Sequence, residues 1–114
     1  MKINILGADW KIIKRRKKDD PKFNDDCEAY CDRTTHEIIA QDVVKEYAGD
    51  IQAVENLEII YRHNLRHEIV HAFMFESGLG FNSEWAQKEE LVDWIAFQAS
   101  KIHAAFKAAG ALDP

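Results

Sequence analysis

Residues 51–80, IQAVENLEIIYRHNLRHEIVHAFMFESGLG, decide how this chain folds. No Gly or Pro interrupts the stretch between Ile51 and Glu76. Leu57, Ile60, Tyr61, Asn64, Glu68, His71 and Phe75 recur at i, i+3, i+4 spacing, which predicts a helix over about 51–76. Ile69 to Phe75 is apolar almost all round apart from His71, the mark of a helix running through a core. Gly78 and Gly80 then end the helix as a C-cap and a turn.

Toward the C-terminus, Asn82 or Ser83 is placed to cap a second helix, with Glu84 in its first turn. Lys88, Leu91, Val92, Ile95, Ala99, Ile102 and Phe106 form its stripe, with only Lys88 polar, and Gly110 ends it. A short Gly-rich turn between two helices predicts antiparallel packing. Toward the N-terminus the pattern becomes that of strands. Ile3, Ile5 and Trp10–Ile13 favour β-structure around a turn at Gly7-Ala8-Asp9. Residues 19–26, DDPKFNDD, read as a loop. Cys27–Asp32 and Thr35–Val44 read as a second hairpin around Arg33-Thr34. The expected fold class is α+β, a small mostly antiparallel sheet packed on two long helices. With 114 residues and no linker or repeat, residues 1–114 are expected to form a single domain.

Composition narrows the function classes. A hydrophobic fraction of 46% beside 31% charged residues is a globular balance, not that of a disordered chain. Charges interrupt every apolar run before membrane-spanning length, and Ile3 to Leu6 is too short for a signal-peptide core, so a cytoplasmic protein is expected. The net charge is −5, although residues 1–18 hold seven Lys/Arg against Asp9 alone. An acidic chain repels phosphates, so neither a nucleic-acid nor a membrane partner is expected. The basic run KIIKRRKK is expected to be a solvated strand end facing Asp19, Asp20, Asp25 and Asp26. Cys27 and Cys31 are expected as reduced, small core residues; on one strand they lie about 13 Å apart, too far for a disulfide.

The chemistry lies in His67-Glu68-Ile69-Val70-His71, an HExxH on the predicted helix. Two histidines one turn apart project from one face, and neutral imidazole is a good Zn²⁺ ligand. Glu68 lies beside that face, placed to accept a proton from a water that the metal polarises. His63 continues the series, but it lies about 12 Å from His71 along the axis, too far to share one ion, and reads as a site-edge hydrogen-bonding residue. A third ligand has to come from elsewhere, and Glu89-Glu90-Leu91-Val92-Asp93 on the second helix supplies candidates.

HExxH followed about 20 residues later by E-x-x-x-D resembles the gluzincins, zinc metallopeptidases related to thermolysin. The resemblance implies Glu89 as third ligand and Asp93 as the acid that hydrogen-bonds the outer nitrogen of a ligand His. Glu90 is the rival ligand, at the spacing of the aminopeptidase branch. Glu89 is favoured because Asp93 then falls into register, i and i+4 sharing a helix face. YCDRTTHEIIAQ, RHEIVHAFMFESGLG and EELVDWIAFQ are similar to small phage- and prophage-encoded HExxH proteins, distantly similar to ImmA/IrrE-type metallopeptidases. That likeness implies a zincin-like fold and peptidase activity, in the host cytoplasm if phage-encoded.

The function expected is therefore zinc-dependent peptide hydrolysis with Glu68 as general base, on a polypeptide substrate that pairs with the strand near Thr35–Val44. Full-size gluzincins supply His or Tyr donors from a downstream lobe for which about 20 residues after Asp93 leave no room. Tyr30, Tyr47, Tyr61, His63 and His103 are the remaining donors. The alternatives are a zinc-stabilised, non-catalytic interaction or phage accessory protein, and an antirepressor-like regulator that cleaves one partner. Trp10, Trp85, Trp94, Phe73, Phe75, Phe97 and Phe106 are expected to pack in the core or between helices, and His36 to face solvent.

Overall fold

Leu6 and Gly7, with φ of 52° and 93°, close a two-residue turn between strands β1 (Lys2–Ile5) and β2 (Ala8–Arg15). Positive φ at both positions gives a turn whose twist matches the strands it joins. The reversal thus falls one residue earlier than expected, and Ala8 and Asp9 already belong to β2. The computed structural model describes residues 1–114. Its sheet has four strands in the order β1-β2-β4-β3, with β3 at Ala29–Asp32 and β4 at Glu37–Gln41. β4 pairs antiparallel with β3 and parallel with β2, so the sheet is mostly antiparallel and the fold is α+β.

β4 is shorter than the Thr35–Val44 expected. The Asp42 side chain accepts from the Lys45 backbone N–H at 3.2 Å and starts a single helical turn, α1 (Val43–Glu46). The long helix α2 spans Leu57–Glu76, beginning six residues later than the spacing suggested. Asn56 sets that start by accepting from the Ile59 N–H. After Gly78, at φ 85°, comes a short helix α3 (Leu79–Asn82), then a 3₁₀ turn over Glu84–Gln87. The second long helix, α4 (Glu89–Ala108), therefore starts at Glu89 and not at Ser83. Gly80 lies inside α3, buried, where a Cβ would stand 2.6 Å from the Phe75 ring. Close approach, not a turn, requires glycine there.

Ile5, Trp10, Ile38 and Ala72 form the buried centre, with Cys31, Leu65 and Ile69 packed on it. One sheet face covers one side of α2, so the helix is not enclosed all round as its sequence suggested; Phe73 is 42% exposed. Of the aromatics expected inside, Trp10 is buried, while Trp85, Trp94, Phe97 and Phe106 stay about half exposed. α4 packs through Val92 and Ala96 but overhangs the body, and residues 103–114 are all exposed. Glu76 locks the end of α2 to the sheet: its Oε1 accepts from Trp10 Nε1 and pairs with His36 Nε2, each at 2.9 Å. His36 is exposed, as expected, and also lies beside Trp10 and pairs with Glu76. The basic strand end does meet acids, Arg15 with buried Asp20 and Lys17 with Asp25, but Arg16 turns to Glu46. No helix is long and apolar enough to cross a membrane.

Candidate metal centre

α2 carries His67 and His71 one turn apart, their ring centroids separated by 4.9 Å. α4 runs antiparallel to α2 and delivers its first residue to both rings. Glu89 Oε2 lies 2.6 Å from His67 Nε2, and Glu89 Oε1 lies 3.1 Å from His71 Nε2. One turn further along α4, Asp93 Oδ1 lies 2.7 Å from His67 Nδ1. Glu90 is exposed and does not line the site. The structure therefore brings Glu89 and Asp93 to the histidines and turns Glu90 away.

Both nitrogens of the His67 ring face carboxylate oxygens, Nδ1 toward Asp93 and Nε2 toward Glu89, so the protonated ring donates to both. With Nδ1–H kept on Asp93, a neutral ring turns its Nε2 lone pair toward Glu89, where a cation would sit between the two acceptors. Two imidazole nitrogens and a carboxylate are also the three-ligand donor set of an open zinc site, so the residues fit that metal. Ligand atoms of His67, Glu68 and His71 all lie within 4.8 Å of one another, as do those of His63, His67 and Asp93.

Electrostatics distinguish the site's members. Burial disfavours a charged His67, but hydrogen bonding to Asp93 and the nearby Glu68 and Glu89 charges outweigh it and raise its pKa. Burial lowers that of His71. Glu68 is 8% exposed, and burial pushes its carboxyl up to about 7. Beside these groups opens a cavity of about 570 Å³, walled by residues 26–31 on one side and by α2 and the start of α4 on the other. Neither a family model nor a curated protein nor a solved structure matches this chain.

Most of the expected hydrogen-bond donors are elsewhere. The Tyr30 hydroxyl donates to buried Asp20, and burial together with that bond pushes it up to about 12. Tyr61 lies under the Lys14 ammonium, Tyr47 borders a different hollow, and His103 is exposed on the overhang of α4. Of these donors Tyr30 and His63 line the cavity, His63 stacked on Phe97 with Nε2 3.2 Å from Asp93. Cys31 does pack on the core, where burial pushes its thiol up to about 12, while half-buried Cys27 lies outside β3 and lines the cavity. Such protonated thiols are poor nucleophiles and poor ligands.

One lining residue escaped the sequence reading. Asn64 borders the cavity one turn before Glu68, and its buried Nδ2 has no hydrogen-bond partner. The signal was present, since Asn64 lies on the same helical stripe as Glu68 and His71, but a single polar residue on a helix has no spacing that marks it.

Proposed function

We propose that this chain is a zincin-like, zinc-dependent peptidase acting in the cytoplasm, with His67, His71 and Glu89 as the metal ligands. One observation carries the reading: Glu89 meets both Nε2 atoms while Asp93 holds the back of His67, next to a buried, cavity-lining Glu68. Zinc held there supplies Lewis-acid polarisation of a carbonyl and brings a water toward a pKa of about 7. Glu68 takes the proton at its carboxylate as water attacks the peptide carbonyl, then returns it to the leaving amine. Asp93 keeps the His67 ring in one orientation and tautomer throughout.

β4 cannot receive an extended substrate, since β2 and β3 already pair with its two edges. The strand available is β3. The Gln41 N–H donates to the Glu28 carbonyl, so main-chain groups of alternate residues, 28, 30 and 32, face β4. Those of Ala29 and Cys31 face outward, along the cavity wall. An extended peptide added there lies across the metal ligands.

The non-catalytic reading draws support from the commitment of Tyr30 to Asp20, which removes a nominated oxyanion donor. Origin in a phage or prophage rests on the sequence resemblance alone. Zinc-loaded wild type and Glu68→Gln separate the readings when incubated with unfolded polypeptide and with bacterial lysate. The peptidase reading expects chelator-sensitive cleavage by wild type and none by a variant that keeps its zinc and its melting temperature. Equal behaviour of the two proteins overturns it.

A further inference from the structure

The cavity at the metal centre continues past Tyr30, Cys31 and Phe75 into a second hollow lined by Lys22, Asp32, Arg33 and Thr34. Together they form one groove along the outer edge of β3, with opposite charge at its two ends. Asp26 and Glu28 line the end where β3 begins. At the other end stand Lys22 and Arg33, while Asp32 turns its carboxylate onto the Thr34 N–H and hydroxyl.

Arg33 has no carboxylate partner. Its guanidinium lies 4.8 Å from the Phe81 ring centroid and 5.6 Å from that of Phe75. Two aromatic faces restrict the side chain while leaving its forked N–H donors free. Phe75 is one helical turn beyond His71, their rings 6.4 Å apart. The free cation is therefore at most about 12 Å from the His71 ring, a span of up to three or four residues of extended peptide at about 3.4 Å per residue.

Resting on the peptidase reading, we infer that Arg33 recognises a carboxylate of the substrate, so the groove takes peptides with an acidic group on the Arg33 side of the reacting bond. The carboxylate belongs either to an Asp or Glu side chain or to the peptide's C-terminus. Asp26 and Glu28 repel an acidic group from the opposite end, so the preference is one-sided. A fork matched to a carboxylate but open to water gives a preference of about threefold to tenfold.

The test uses zinc-loaded Glu68→Gln chain and fluorescent alanine octapeptides carrying one Glu or one Gln at each position in turn. Each peptide is made with a free and with an amidated C-terminus. Anisotropy titration is expected to show tighter binding of Glu over Gln at positions toward one end only, or of free over amidated termini. The first pattern assigns a side chain and the second the terminal carboxylate. Arg33→Gln is expected to bring the ratio below about twofold, and Arg33→Lys, which keeps the charge but not the fork, to retain part of it. Absence of any preference, its persistence in Arg33→Gln, or failure of every peptide to bind overturns the inference. Carboxylate-dependent binding that Arg33→Gln abolishes, without cleavage by wild type, leaves carboxylate recognition by Arg33 standing and removes the peptidase reading, and with it the placing relative to a reacting bond.

Discussion

Asp93 Oδ1 sits 2.7 Å from His67 Nδ1, and this contact determines what the opposite side of the ring presents. With Nδ1–H donated to Asp93, Nε2 would offer a lone pair toward Glu89, as the proposed metal site requires. Asp93→Asn replaces a carboxylate with a weaker acceptor and leaves every proposed ligand in place. Zinc affinity, read by competition with a chromophoric chelator, is expected to fall about ten- to a hundredfold. Glu89→Ala is expected to lose far more and Glu90→Ala almost nothing. Chelator is expected to lower the melting temperature of wild type, because metal bound to the folded state alone stabilises it. The reverse order of Glu89 and Glu90 removes the ligand assignment.

Asn64→Leu separates stability from function at the cavity wall. The unpartnered Nδ2 of Asn64 carries a desolvation cost of about 1–3 kcal/mol, and an apolar residue of similar volume relieves it. The melting temperature is expected to hold or rise. Peptide cleavage is expected to fall if the amide serves the substrate carbonyl; unchanged kcat/KM excludes that role.

Tyr30→Phe is expected to alter acid stability through Asp20. Burial alone raises the carboxyl pKa of Asp20, but bonds from Tyr30, the Lys22 N–H and Arg15 outweigh it and hold the value below the ordinary carboxylate range. Stability from such a group is present above the unfolded pKa of about 3.9 and is lost as pH falls through the lower folded value. Removing the Tyr30 hydroxyl raises the folded value and leaves a buried charge with one donor fewer. The acid-unfolding midpoint is expected to move to higher pH, with about 1–3 kcal/mol lost at neutral pH. An unshifted midpoint contradicts this account of Asp20.

Gly80→Ala places a methyl carbon 2.6 Å from the Phe75 ring, which cannot yield without leaving its contacts with Arg33 and His71. The expected cost is about 1–3 kcal/mol, read by denaturant unfolding. Loss of the carboxylate preference is expected to accompany it. Wild-type stability in this variant would show that Phe75 has room to move.

The sequence by itself determined the elements whose causes are local. The uninterrupted i, i+3, i+4 pattern specified α2, and the histidine spacing within it put two imidazoles on one face, because a helix has a fixed period. The same period puts Glu89 and Asp93 on one face, but it was the resemblance to the gluzincins that singled them out as a pair. The tertiary structure decided everything that depends on distance through space. The antiparallel crossing of α4 on α2 brings Glu89, already favoured by its register with Asp93, to the histidines and turns Glu90 away, since a 100° turn between neighbours matters only once the partner helix is placed. The parallel pairing of β2 with β4 put β3, not β4, at the open edge, because strand order is not written in alternation. The bond from Tyr30 to Asp20, ten residues apart, withdrew a donor that no spacing rule connects to a loop acid. Arg33 joined the groove only when the end of α2 brought Phe75 beneath it.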